Sequence, residues 1–306
     1  RPYYLERIKP YIKKPLVKVL TGIRRSGKSS ILMMLRDMLA KQFGVPRDHM
    51  ILINFESMAF AKLNEAQAFY DYIKEQIVDG QMYYLFFDEI QEVEHWEKAV
   101  NSFLVDFCVD IYITGSNSRL LSSEFATYLT GRTIQFEVMP LSFREFVDFE
   151  IAREPGQSPD LNQSLKRYIA FGGFPTISAT SYTGDQVYDI LQAIYGDAVL
   201  RDVVSRHHLR DANKLEKLTL FMMENIGNRF SSKRITAYLK NQKRSMGTDT
   251  IYSYLDFLCG AYILYRAPRY DLRGKEILST NEKYYMVDHG IIFFIGTQDL
   301  LSPQII

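Results

Sequence analysis

The sequence predicts an α/β protein: a parallel sheet with helices on both faces, then a mostly helical segment, then a smaller helix–turn–helix with a two-stranded wing. Three observations predict it. The run Gly22-Ile23-Arg24-Arg25-Ser26-Gly27-Lys28-Ser29 fits G-x-x-x-x-G-K-[ST] and lies between a strand pattern and a helix pattern. From Leu16 to Pro140 short apolar runs alternate with helical periodicity, as in a parallel sheet covered on both sides. After Pro140 the alternation stops.

Taken in order, strands are expected at Leu16–Thr21, Met50–Phe55, Tyr83–Phe87, Asp110–Thr114 and Thr133–Val138. Helices are expected between them at Lys28–Phe43, Glu65–Val78, Glu94–Phe107 and Ser118–Leu129. Ser142–Ile151 reads as a further helix, and the Pro-, Gly- and polar-rich stretch Arg153–Asp160 as a loop. Leu161 to about Asn225 is mostly helical, interrupted by Phe171-Gly172-Gly173-Phe174-Pro175. A helix near Lys233–Asn241, a turn at Ser245–Gly247, a helix near Thr250–Leu258 and strands at Tyr262–Ala267 and Lys283–Val287 outline a winged helix. The expected division is a P-loop core over 1–150, a helical segment over 151–225 (the lid of the resemblance named below), a winged helix over 226–290 and the start of a further region over 291–306.

The 306 residues, 47% hydrophobic and 24% charged with a net charge of +1, have ordinary globular composition. No apolar run is long enough to span a bilayer and no secretory signal is recognisable, so a cytoplasmic protein without a membrane partner is expected. With Arg1 in place of Met, the first residue is not expected to be the native start. Cys108 and Cys259 match no metal spacing and are expected to be buried, reduced thiols. The five histidines show no metal spacing either.

The chemistry concentrates at the carboxyl ends of the strands, where ligands bind on such sheets. Gly22 and Gly27 let the backbone curl so that its N–H groups point inward, and the helix starting near Lys28 adds its positive dipole end. Lys28 is placed to reach the β- and γ-phosphates of ATP, and the Ser29 hydroxyl to ligand Mg²⁺. Arg25, Ser26 and Ser30 complete the expected cradle; whether Arg24 and Arg25 meet phosphate or an acidic residue is left open. Tyr83–Phe87 runs into Asp88-Glu89, an apolar strand with two acids at its tip. Asp88 is the second expected Mg²⁺ holder and Glu89 the expected general base.

Asn117, beyond the strand that ends at Thr114, suits a γ-phosphate or lytic-water contact if that strand lies between the phosphate-loop strand and the Asp88 strand. Ser116 and Asn117 are equally good helix caps. Arg132, just before the last strand, is a candidate arginine finger acting on a neighbour in a homo-oligomer, or a helix-end cation. Six cations and no acid lie between Arg229 and Arg244 (Arg229, Lys233, Arg234, Lys240, Lys243, Arg244), and Arg273 and Lys275 flank Gly274 at the expected wing tip. This face suits duplex DNA phosphates, although the helix near Thr250–Leu258 lacks Arg and Lys, so a protein partner fits too.

With these motifs in place the chain resembles prokaryotic AAA+-superfamily ATPases that pair a P-loop core with a C-terminal domain of unknown function. The matching stretches are Leu20–Ser30, Phe86–Gln91, Ile113–Leu121, Leu129–Arg132, Pro140–Phe146, Gly172–Pro175, Val199–Val204 and Lys283–Gly290. The resemblance implies an AAA+-type core, a helical lid and a winged helix. It also implies that Gly173 and Pro175 belong to a lid motif whose proline borders the adenine. In the family a nuclease-like region follows, which this chain, ending at Ile306, does not support. The expected function is that of a Mg²⁺-dependent ATPase, a switch or motor coupled to a winged-helix module that contacts DNA. The competing expectation is an ATP-dependent protein-binding scaffold with negligible hydrolysis and no DNA binding.

Overall fold

The structure is a computed structural model, describing residues 1–78, 80–121, 129, 131–209, 211–230, 235–236, 246–268 and 282–301. The chain forms two units: Arg1–Gly22 with Gly27–Val138, and Ile23–Ser26 with Met139–Ile306.

The first unit is built on five parallel strands: β1 (Val17–Thr21), β2 (Met50–Asn54), β3 (Tyr83–Asp88), β4 (Val109–Gly115) and β5 (Thr133–Glu137), in the order β2-β3-β4-β1-β5. Every residue of β1 and β3 is buried, as expected of strands covered on both faces. Side chains alternate between two apolar layers. Val17, Val19, Leu85, Phe87, Ile111 and Ile113 share one cluster, while Leu20, Phe86, Tyr112 and Phe136 share the other. Helices α1 (Pro2–Ile8) and α2 (Lys28–Phe43) contribute Tyr4, Ile8, Leu32 and Leu35 to the second layer. Helices α3 (Ala66–Gln76) and α4 (Trp96–Asp106) contribute Phe69, Ile73 and Phe103 to the first. Lys18, fully buried in β1, pairs with Asp110, which also accepts from Tyr112 Oη at 2.8 Å and Lys13 N at 2.8 Å. Both oxygens of that carboxylate are therefore matched, which is what a buried ion pair requires.

In the second unit α5 (Phe143–Arg153) starts from a capping box: Ser142 Oγ accepts from Glu145 N and Glu145 Oε2 from Ser142 N. Asp160 caps α6 (Leu161–Phe171) through Asn162 N and Gln163 N. The short α7 (Pro175–Ser178) begins on a proline, whose fixed φ suits a first helical turn. Helix α8 (Gly184–Val199) runs into a π-helical segment, Leu200–Ser205, followed by α9 (Ala212–Glu224) and α10 (Thr248–Gly260). Strands β6 (Leu264–Ala267) and β7 (Lys283–Met286) pair antiparallel, and α11 (His289–Leu301) comes after them. Phe174, Leu191, Leu215, Leu218, Leu255, Ile263 and Phe294 lie at the centre of this unit.

The five expected strands and the helix over Lys28–Phe43 stand where the sequence places them. The helix expected over Ser118–Leu129 begins as a 3-10 turn, Ser118–Leu121, and residues 122–128 lie outside the described residues. Most of the helix expected near Lys233–Asn241 and the wing tip at Arg273–Lys275 also lie outside them. Positions 150 and 290, the expected domain boundaries, fall inside α5 and α11. Cys108 corrects the expectation of two buried thiols: both cysteines are free, but Cys108 is exposed, in the short link between α4 and β4, and Cys259 is partly buried. Among the described residues no helix is long and apolar enough to cross a membrane.

Candidate functional site

The strand order brings the expected chemistry together. With β1 between β4 and β5, and β4 between β1 and β3, the tips of β1, β3 and β4 are neighbours at the carboxyl edge of the sheet. The phosphate loop leaves β1 through Gly22, whose φ is +141°, and a Cβ there would lie 2.2 Å from Val138 O. No side chain fits, and Val138 N donates to Thr21 O at 2.7 Å, so the close approach is built in. The loop ends at Gly27, where α2 begins. Lys28, 4% exposed, donates to Gly22 O at 3.0 Å across the loop. Ser26 is buried; Arg25 (φ +64°), Ser29 and Ser30 are exposed.

Asp88 is the hub. Its Oδ1 accepts from Ser29 Oγ at 3.0 Å and from Thr114 Oγ1 at 2.5 Å, and its Oδ2 from Asn54 Nδ2 at 3.3 Å. Burial pushes its carboxyl above the usual range. The Thr114 and Ser29 hydroxyls pull it back, Glu89 raises it and Lys28 lowers it. Ser29 and Asp88 are the two groups the sequence assigns to Mg²⁺. A hydroxyl beside a carboxylate is a hard oxygen pair, and Mg²⁺ is usually held by one or two carboxylates plus substrate phosphates and water. Among the described residues no group of three or more His, Cys, Asp or Glu side chains could hold a metal. The residues present fit a cation that arrives with a nucleotide, not a closed metal cage.

Glu89 comes next, in the left-handed region (φ +53°), and is 7% exposed. Its N–H donates to Thr114 Oγ1 at 3.0 Å, and its Oε2 accepts from Gln91 Nε2. Asn117 lies just beyond β4, which stands between the phosphate-loop strand and the Asp88 strand; its carbonyl accepts from Leu120 N at 3.2 Å and opens the 3-10 turn. Arg132 stands at the opposite, amino edge of the sheet. Its carbonyl accepts from Val17 N, and its exposed guanidinium donates to Asn101 at 3.0 Å. It is at the far end of the strands from its own phosphate loop, so a finger role needs a second copy.

Gly173 and Pro175 lie in the second unit. Gly173 N donates to Asp288 Oδ2 at 2.7 Å and its carbonyl accepts from Leu141 N at 2.6 Å. Asp288 Oδ1 also accepts from Gly290 N at 2.8 Å. Three stretches that carry the resemblance, around Leu141, Gly173 and Asp288, therefore close on one another. Burial pushes the Asp288 carboxyl up to about 6, against the two backbone donors and His289, which pull it down.

Sequence reasoning missed Thr114, Asn54, Gln91 and Asp202, the partner of Arg24. Thr114 and Asn54 are single polar residues at the tips of apolar strands, and Gln91 sits two places after Glu89; position in the sheet is the signal that finds them. Of the basic face, Arg229 is exposed, and Lys233, Arg234, Lys240, Lys243, Arg244, Arg273 and Lys275 lie outside the described residues.

Residues 14–147 match the family described as an AAA domain, and residues 162–299 match a domain of unknown function (DUF8612). An uncharacterized protein of Haemophilus influenzae is 37% identical over 292 residues, 95% of this chain and 72% of its own length. One of Methanocaldococcus jannaschii is 33% identical over 283 residues, 89% of this chain and 60% of its own length, so the chain spans about three fifths of that relative. Among solved structures, the Aeropyrum pernix ORC1 protein in complex with DNA aligns at a TM-score of 0.38 and 14% identity, over all of this chain and 93% of that one. A likeness that low carries no functional argument. The identity to the Haemophilus protein and the AAA-domain match, on a sheet whose phosphate loop and paired acids share one edge, establish that the chain belongs to that protein's family and carries an AAA domain, a P-loop ATPase-type fold.

Proposed function

We propose that the chain binds ATP with Mg²⁺ at the phosphate loop and hydrolyses it. One observation carries the reading: Ser29, Thr114 and Asn54 all bond to Asp88, while Lys28 bridges the loop beside them. Gly22, Arg25, Ser26, Gly27 and Ser30 shape and line the cradle, and Lys28 meets the β- and γ-phosphates. Ser29 and Asp88 would hold Mg²⁺, which neutralises charge on the transferred phosphoryl group. Glu89 takes a proton from the attacking water on the carboxylate oxygen that Gln91 does not hold, while Gln91 Nε2 orients the carboxylate through Oε2. Asn117 contacts the γ-phosphate or that water. Arg132 acts in trans, in a homo-oligomer. The adenine contact of Gly173 and Pro175 rests on the family resemblance alone.

The test is ATP binding and turnover in Lys28→Ala and Glu89→Gln. Lys28→Ala should abolish binding. Glu89→Gln should bind normally and turn over roughly 100-fold more slowly or worse, within the range of general-base loss. Unchanged turnover in Glu89→Gln removes it from the base role.

The Gln91–Glu89 bond also favours a second reading, an ATP-gated protein-binding scaffold with negligible hydrolysis. Turnover at saturating ATP, with and without duplex DNA, separates the two: clear turnover supports the first reading and negligible turnover the second. The output module proposed is the winged helix over 226–290, through which the switch contacts duplex DNA.

A further inference from the structure

The tip of the phosphate loop, Ile23–Ser26, belongs structurally to the second unit. Two anchors hold it there. Ile23 is 1% exposed and lies in that unit's apolar cluster, which also contains Val199 and Val203. Arg24 Nε donates to Asp202 Oδ2 at 2.9 Å, across 178 residues of chain, with the Asp202 side chain 1% exposed. Asp202 does not stand on ordinary helix. It lies in the π-helical segment Leu200–Ser205, and π turns recur at functional sites. Removing the extra residue of a π turn would swing the downstream side chains by roughly 100° about the axis. Arg206, one turn on, reaches Asp202 Oδ1 at 3.5 Å and fixes the carboxylate from its other side. Arg25, next to Arg24, adopts a left-handed backbone that an unheld loop would readily leave.

We propose that Asp202 is a positioning residue of the phosphate loop: through Arg24 it holds the loop tip, Ile23–Ser26, in its binding shape. The proposal rests on the ATP-binding reading. A buried carboxylate that fixes a guanidinium by a charge-assisted hydrogen bond constrains both partners far more than an exposed pair does. A loop shaped in advance spares the nucleotide the cost of ordering it.

The experiment compares wild type, Asp202→Asn, Arg24→Gln and the double variant by two measurements. Amide hydrogen exchange in nucleotide-free protein reads the loop itself. Exchange over residues 23–26 should speed about tenfold in each single variant, and the remainder of the second unit should keep its protection. ATP affinity at fixed Mg²⁺ reads what the held loop contributes to binding. Each single variant should weaken it about tenfold, and the double variant should be no weaker than either single, since both remove one interaction. Unchanged loop exchange, unchanged or tighter ATP binding, or additive losses in the double variant would each overturn the proposal. If Asp202→Asn loosens the whole second unit, Arg24→Gln, which leaves Asp202 paired with Arg206, decides alone. If wild-type protein binds no ATP, the ATP-binding reading is what has failed, and loop exchange still decides whether Asp202 holds the loop.

Discussion

Replacing Thr114 by valine should both destabilise the first unit and weaken the use of Mg²⁺. Thr114 is fully buried, and its hydroxyl does two jobs: it donates to Asp88 Oδ1 at 2.5 Å and accepts from Glu89 N at 3.0 Å. Valine keeps the shape and makes neither bond. A hydrogen bond to a charged group contributes about 1.5–3 kcal/mol, and a buried N–H left unpaired costs about 1–3 kcal/mol. Together the two losses come to about 2.5–6 kcal/mol, toward the lower end because they share one atom. Urea unfolding followed by fluorescence measures it, with Thr114→Ser as the variant that keeps the hydroxyl. Asp88 at the same time loses the hydroxyl that most opposes its upward shift, so it stays protonated to higher pH. Half-saturation by Mg²⁺ in ATP turnover should therefore rise, most at low pH and least well above neutrality. A valine variant within about 1 kcal/mol of wild type, or serine and valine variants with the same Mg²⁺ dependence, would refute the reasoning.

Three further outcomes are expected. Arg132→Ala should abolish turnover alone and regain it when mixed with Lys28→Ala subunits, since an arginine finger contributes roughly 10³–10⁵ in rate; assembly without rescue removes the trans role. Asp288 is raised from its usual 3.8 to about 6, so its neutral form suits the folded state better: its contribution is full below about pH 4 and is lost as pH rises to 6. That is about 3 kcal/mol across the window, and stability against pH should lose this slope in Asp288→Asn; an unchanged slope would refute it. Duplex DNA binding through the 226–290 module should fall with salt at a log–log slope near −0.9 per phosphate contacted, and charge reversal at Lys233, Arg234 and Lys240 should flatten it for every sequence alike; no salt-sensitive binding at about 50 mM salt would leave a protein partner as the reading of this module.

What the sequence makes legible is what local forces decide. Strand β3 is an unbroken apolar run up to Asp88 because both faces of a parallel sheet are covered there, and the capping box at Ser142 acts within one turn. Asp88 and Glu89 can be read because they end such a run next to a phosphate-loop signature. Thr114 cannot, because a threonine at a strand tip looks the same whether or not it bridges two neighbours; only the order β3-β4-β1 puts Asp88 beside it. Asp202 and Asp288 are further from view. Their partners Arg24 and Gly173 lie 178 and 115 residues away, and each pairing is decided by how helices pack, not by any spacing along the chain. The stretches around them stand out in the sequence only as strings shared with a family. The structure supplies the reason at one of them. Gly172 has φ +77°, and a Cβ there would sit 1.8 Å from Asp288 Oδ1, while a Cβ on Gly173 would sit 2.3 Å from Leu141 O. The two glycines are bare because a buried carboxylate and a carbonyl occupy the space a side chain would need. What reads in the sequence as an interruption between helices is a point of close packing in the second unit.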